Sequence, residues 1–512
     1  MGLVSRGLSV ARPDDLVKDG TAVSVSPVLS PPARPSTPPP WLRASDPAAT
    51  PVVVAPSPVM RRVTLAVVCL ATAMLMLDIA VVNTALPAMA REFDAGMSAL
   101  KWVVDGYTIT LAALVLSAGG WADRFGRRRV FRCGAVIFTA SSIVCAMAGG
   151  MGVLIAGRIV QGVGGALLFA SSLAVLADAF PQPAARTKAL AAYGATIGAS
   201  FAVGPLVGGV LTEAIDWRAL FALNLPIGLV MIFATRWLRE SASTSPRRGD
   251  RVGQVLVIVA LGALTFGLIE ANDRGWTDAV TVGMLGMAIV AAVGFVVVES
   301  RVAEPMLPLS MLRNARFAGA HLATFAISAS MFALFVYTTI YLQGVLGLSA
   351  IDAGLVYLPG TITMFVVAGL TDQLIRRVPT NALLAGSMVA VAGGLAWMTT
   401  GGVEGSGWGL LPGFLLACVG AGVFNPVVSG LVLAESSDDD AGLAAGINDV
   451  FRQSGIALGV AALGAVFPAQ SVLHGGSRTE FVSSLHTALW IGVGIALAGA
   501  AVCAVTMRQP RV

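Results

Sequence analysis

Fourteen mostly apolar stretches follow one another between residues 63 and 507. Each is close to the ~20 residues a helix needs to cross bilayer hydrocarbon. In lipid every backbone polar group must be satisfied inside the chain, so a series of such stretches leaves one solution, a bundle of spanning helices. The stretches lie near 63–86, 102–122, 130–149, 152–176, 188–212, 218–238, 252–271, 279–298, 316–342, 351–373, 381–400, 408–433, 442–468 and 485–507. The turn at Gly149-Gly150 is the least sharply marked boundary. Only 12% of the chain is charged, where a soluble domain carries about 25%. With the N-terminal tail in the cytoplasm, twenty-one arginines and lysines fall on the cytoplasmic side and five on the outer side: Arg91, Lys101, Arg218, Arg274 and Arg478. That bias is the one expected of cytoplasmic loops, and a wrong span count would scramble it. Both termini are therefore expected in the cytoplasm. Nucleic acid is not the expected partner, because the positive charge sits in short loops between apolar runs.

Residues 1–60 differ from the rest. Ser26-Pro27, Pro31-Pro32 and Pro38-Pro39-Pro40 punctuate a tract poor in aromatics, which reads as a disordered cytoplasmic tail. Met60-Arg61-Arg62 abuts the first span and has the form of an alternative translation start. The three lysines, Lys18, Lys101 and Lys188, are not preceded by glycine, so no phosphate-binding Gly-Lys-Ser/Thr loop is present. Five scattered cysteines without Cys-x-x-Cys spacing and three distant histidines point to neither disulfides nor a metal site.

The densest charge cluster is Gly119-Gly120-Trp121-Ala122-Asp123-Arg124-Phe125-Gly126-Arg127-Arg128-Arg129, between the second and third stretches. A weaker echo, Gly369-Leu-Thr-Asp372-Gln-Leu-Ile-Arg376-Arg377, follows the tenth. The loop resembles the one between helices two and three of major facilitator superfamily transporters. Spans 1–6 and 9–14 then read as two six-helix halves, with 252–271 and 279–298 an inserted pair. The expected fold is all-α and polytopic: a tail over 1–60, a six-helix bundle over 61–240, the insertion over 241–310 and a second bundle over 311–512.

Ionisable groups inside spans are costly and are functional candidates by default. Leu77-Asp78-Ile-Ala-Val-Val-Asn83-Thr84-Ala-Leu86-Pro87 resembles the first-helix signature of the fourteen-span drug:proton antiporter family, with Pro87 closing the span. Burial disfavours an ionised carboxylate and a nearby cation favours it, so Asp78 can exchange a proton against a cationic substrate. Its alternative is structural pairing with a neighbouring helix. Asp105 lies about one turn inside the second span, where it can take protons from outside. Arg158, in Arg158-Ile-Val-Gln161-Gly162-Val-Gly164-Gly165, must find a carboxylate, carbonyls or water, or else snorkel to the surface. The resemblance implies that it assists proton transfer, with Asp78 or Asp105 as partner. Gly194, Gly198, Gly204-Pro205 and Gly208-Gly209 allow close helix approach. Together they resemble the motif that marks antiporters within the superfamily. Asn448, Asp449 and Arg452 share the thirteenth span, with Asp449 and Arg452 spaced to pair locally. Asn83, Gln161, Phe335, Asn448 and Arg452 are the expected substrate contacts. Gly119, Asp123, Arg124, Gly126, Arg127 and Arg128 are the expected conformational latch.

The expected function is proton-coupled export of amphiphilic drugs and antibiotics across the cell membrane, by a monomer that needs no cofactor beyond the proton gradient. Export of one endogenous metabolite or antibiotic is the alternative. A polytopic enzyme would require a His/Asp or Ser/His constellation near one interface, and none is visible.

Overall fold

The computed structural model describes residues 57–242, 249–437 and 440–507. Residues 1–56 of the expected tail, Arg247, Arg248, Asp438, Asp439, Arg508 and Arg511 lie outside the described residues, whereas Pro58–Met60, expected in the tail, begin the first helix. Thirteen described helices are long and apolar enough to cross a membrane. They are α1 (Pro58–Phe93), α2 (Met97–Phe125), α3 (Arg127–Ala146), α4 (Met151–Ala179), α5 (Pro183–Ala214), α6 (Arg218–Trp237) and α7 (Arg251–Arg274). Then come α8 (Ala279–Glu299), α9 (Ala315–Val345), α10 (Ala350–Ile375), α11 (Thr380–Met398), α12 (Gly407–Ala434) and, last in the chain, α14 (Arg478–Thr506). Between the last two lies α13 (Ala441–Gly464), whose 24 residues make about 36 Å of helix. Asn448, Asp449, Arg452 and Gln453 make α13 less apolar than the others, yet it packs against α2 and α9 inside the bundle. It is the fourteenth helix, and each of the fourteen sequence stretches coincides with one.

Several helices outrun the hydrocarbon. The 36 residues of α1 give about 54 Å, against ~30 Å of bilayer core. Pro87, expected to close the first span, lies inside α1, which continues to Phe93. Lys101, expected in an outer loop, is also helical and fully buried, because α2 begins at Met97. Side chains in the loops start the following helices: Asp250, Asn314 and Ser477 accept from the exposed N–H groups of α7, α9 and α14.

Taken as the two halves expected from the sequence, α1–α6 and α9–α14 meet along two seams, α5 against α10 and α2 against α13. Helices α7 and α8 pair with each other, and α7 packs on α2 and α13. Without a hydrophobic drive between helices in lipid, close packing depends on small residues. At the α3–α4 contact, a Cβ on Gly134 would sit 2.8 Å from the backbone nitrogen of Leu168. Across the α5–α10 seam, a Cβ on Gly354 would lie 2.7 Å from the carbonyl oxygen of Pro205. Helix α9 widens into π-turns at Ser328–Phe332 and Tyr341–Val345, and the first of these delivers Phe332 to the space between the halves.

Candidate functional site

Arg158 on α4 meets Asp78 on α1. Its Nη1 donates to Asp78 Oδ2 at 2.5 Å and to Gln161 Oε1 at 2.8 Å, and its Nε donates to the Val103 carbonyl at 3.1 Å. Gln161 Nε2 donates to Asp78 Oδ1 at 2.9 Å, and Asn224 Nδ2 on α6 does so at 3.0 Å. Ser142 on α3 accepts from both amides. The guanidinium lies 4.5 Å from the Tyr107 ring centroid, within cation–π range. Asp78 and Arg158 are 2% and 1% exposed, so snorkelling does not occur. The two charges match, and both Asp78 oxygens accept hydrogen bonds, which favours tolerance of a buried pair.

Of the sequence-predicted residues, Asp78, Arg158 and Gln161 come together; Gln161 belongs to this network and does not line the cavity between the halves. Sequence reasoning missed Asn224 and Ser142 as members. Asn224 stands in an apolar run just before Pro226, and a lone amide in a span must find a partner, which was the available signal.

Asp105 is not part of this network. It is fully buried, turned toward the second half near Lys101, and its carboxylate oxygens accept no hydrogen bond. Lys101, one turn earlier, stands in the field of Asp105 and of Glu270 and Asp273 near the end of α7. Gly464 on α13 makes room for it: a Cβ there would lie 2.5 Å from Lys101 Cε. Tyr337 on α9 lies beside the same glycine and donates to the Val460 carbonyl. Thus α2 carries two further buried ionisable groups at the seam with α13, without a salt bridge between them.

Between the halves is a narrow, mostly apolar cavity. Asn83 and Phe335 line it, as expected from sequence. Asn448 and Arg452 do not: Asn448 accepts from the Thr324 hydroxyl of α9 at 2.9 Å, and neither side chain is part of the lining. Asp449 is buried and electrostatically close to Arg452, without a salt bridge. The carboxylate of Asp78 likewise faces its own half, so it does not meet a cavity ligand directly.

The antiporter-type glycines lie at contacts. A Cβ on Gly208 would come within 2.8 Å of the Val81 carbonyl oxygen, and one on Gly209 within 2.9 Å of the Ala350 carbonyl carbon. Gly204 abuts Ala80 and Gly198 abuts Phe365, whereas Gly194 meets nothing within 4 Å. Glu213, at the end of α5, accepts from the Ile351 backbone N–H at 2.9 Å and so caps α10 across the seam.

In the α2–α3 loop Gly126 has φ +105°, a conformation that favours glycine. Asp123 and Arg127 pair at 3.0 Å. Arg128 donates its backbone N–H to Glu240, just after α6, at 3.2 Å and its guanidinium to the Leu238 carbonyl at 3.3 Å. Arg124 stacks over Phe125, and Gly119 has open space beside it. The loop therefore ties α2, α3 and the end of α6 together within the first half.

Residues 68–460 match the Major Facilitator Superfamily. The chain belongs to that superfamily. This facilitator is 33% identical to the methylenomycin A resistance protein of Streptomyces coelicolor, over 81% of the chain and 88% of that protein. It is 33% identical to the multidrug resistance protein Stp of Mycobacterium tuberculosis, over 77% of the chain and 74% of that protein. Its fold matches a crystal structure of the peptide transporter POT in complex with sulfate, with TM-score 0.62, 15% identity, and coverage of 87% of this chain and 96% of that one. It is a multi-pass membrane protein of a transporter family.

Proposed function

We propose that this facilitator exports lipophilic small molecules, antibiotics among them, in exchange for protons. The observation that carries the reading is the sealed Asp78–Arg158–Gln161–Asn224 network, one residue along α1 from the cavity-lining Ile79. Protonating Asp78 removes the charge that holds Arg158 and frees α4 to move against α1. A proton is thereby coupled to the shape of the first half without touching the cargo. Asp105 and Lys101, at the seam the two halves must open, supply a second place where charge changes with conformation. The Asp123 loop then acts as a latch that holds the cytoplasmic ends of α2, α3 and α6 in one arrangement. One charge crossing 100 mV releases about 2.3 kcal/mol, so the proton gradient is the energy source and no cofactor is needed.

The similarity to exporters and resistance proteins supports the outward direction, and the basic α2–α3 loop supports cytoplasmic termini. The relatives include both a single-antibiotic and a multidrug resistance protein, which keeps a dedicated exporter as the second reading. The test is a drug-susceptibility panel in an efflux-deficient host. Wild type should raise resistance, and Asp78→Asn or a protonophore should abolish the effect. Resistance indifferent to both would remove the antiport mechanism.

A further inference from the structure

We infer that the cargo is uncharged: an apolar small molecule with a hydrogen-bonding group that meets Asn83, and not a permanent cation. This rests on the transport reading above and narrows it to a substrate class. None of the side chains lining the cavity is charged. Its wall is made chiefly of Phe201, Phe332, Phe335, Met331, Met364 and aliphatic neighbours. The carboxylates closest in sequence to the wall are buried and are not part of it. Asp78 precedes the lining residue Ile79 but is 2% exposed and holds Arg158, Gln161 and Asn224. Asp105 follows the lining residue Val104 but is fully buried and faces Lys101. Asp449, about two turns from the lining residue Ile456 on the same helix, is not part of the lining and stands in the field of Arg452.

A cation entering this space would lose its hydration and find no counter-ion, the most unfavourable exchange an apolar site can present. The aromatic rings compensate little. Phe335 is packed against Tyr357 and Phe414, with centroids 5.0 and 5.3 Å away, and Phe201 against Phe332 at 5.8 Å. The polar handle is a single amide. The Thr361 hydroxyl is committed to the Ala202 carbonyl at 2.7 Å, whereas Asn83 Oδ1 has no partner in the protein. A consequence follows for energetics. Exchange of a neutral molecule for protons moves net charge inward whatever the proton count, so an imposed membrane potential alone drives it.

The test uses the full chain in proteoliposomes with two aromatic probes, neutral nile red and the permanent cation tetraphenylphosphonium. Nile red should move under an imposed proton gradient and also under a potassium–valinomycin potential without a pH difference. Tetraphenylphosphonium should move at least tenfold more slowly and should not compete with nile red. Asn83→Asp, which puts a carboxylate into the cavity, should raise tetraphenylphosphonium transport relative to nile red. If that variant does not fold, the competition measurement on wild type decides by itself. Comparable transport of both probes, or competition at similar concentrations, overturns the neutral-cargo inference and leaves export intact. Gradient-driven movement of neither probe overturns the transport reading itself, and this inference with it.

Discussion

Replacing Asp78 by leucine removes the negative charge that Arg158 meets at 2.5 Å and strands a guanidinium that is 1% exposed. Breaking a buried pair from one side typically costs about 3–5 kcal/mol, because the surviving charge is left uncompensated. Arg158→Leu should cost a similar amount for the mirror-image reason. The double substitution Asp78→Leu/Arg158→Leu removes both ions of this pair, and Ser142 still accepts from Gln161 and Asn224. Since replacing a buried pair by apolar side chains is often neutral or stabilising, the double mutant should recover most of the loss. By contrast, interhelical hydrogen bonds between neutral groups in bilayers average about 0.6 kcal/mol and reach about 1.7. Asn224→Ala should fall in that lower range. The assay is a double-mutant cycle, with unfolding in mixed micelles followed by tryptophan fluorescence, and gradient-driven transport measured in parallel. Transport should be lost in all three charge variants, including the stable double mutant. Stability losses that add within about 0.5 kcal/mol would refute a direct pair, and a transporting double mutant would refute its role in coupling.

Two other substitutions separate packing from conformational control. Gly208→Ala should destabilise by about 1–3 kcal/mol, since its Cβ would press on the Val81 carbonyl; Gly194→Ala, with open space around it, should be near neutral, and monodispersity after detergent extraction distinguishes the two. Asp123→Asn removes a partly exposed ion pair with Arg127, worth about 1 kcal/mol or less; it should lower the transport rate while leaving ligand affinity little changed, and equal loss of both would contradict the latch.

Much of the architecture was legible because bilayer thickness fixes the length of an apolar run and loop charge fixes its orientation. Both signals are local, and all fourteen stretches were found from them. Lys101 went astray because a charge near the end of an apolar run looks like a loop residue. Only the packing of Gly464 and the acids of α7 around it shows that it is buried. The sequence narrowed the partner of Arg158 to two aspartates, eighty and fifty-three residues away, and only the arrangement of α1, α2 and α4 decides for Asp78. Asn224 and Ser142 escaped notice because a neutral polar residue in a span disturbs neither length nor charge bias. The cavity was the least legible part: Asn83 and Phe335 line it, while Gln161, Asn448 and Arg452 do not. A helix packed by protein on one side and lipid on the other is apolar all round, so its sequence carries little record of its rotation. The sequence determined which helices cross and in what order. Tertiary structure decided which face each one turns inward, and so separated the buried ion pair of Asp78 and Arg158 from the apolar surface of the cavity.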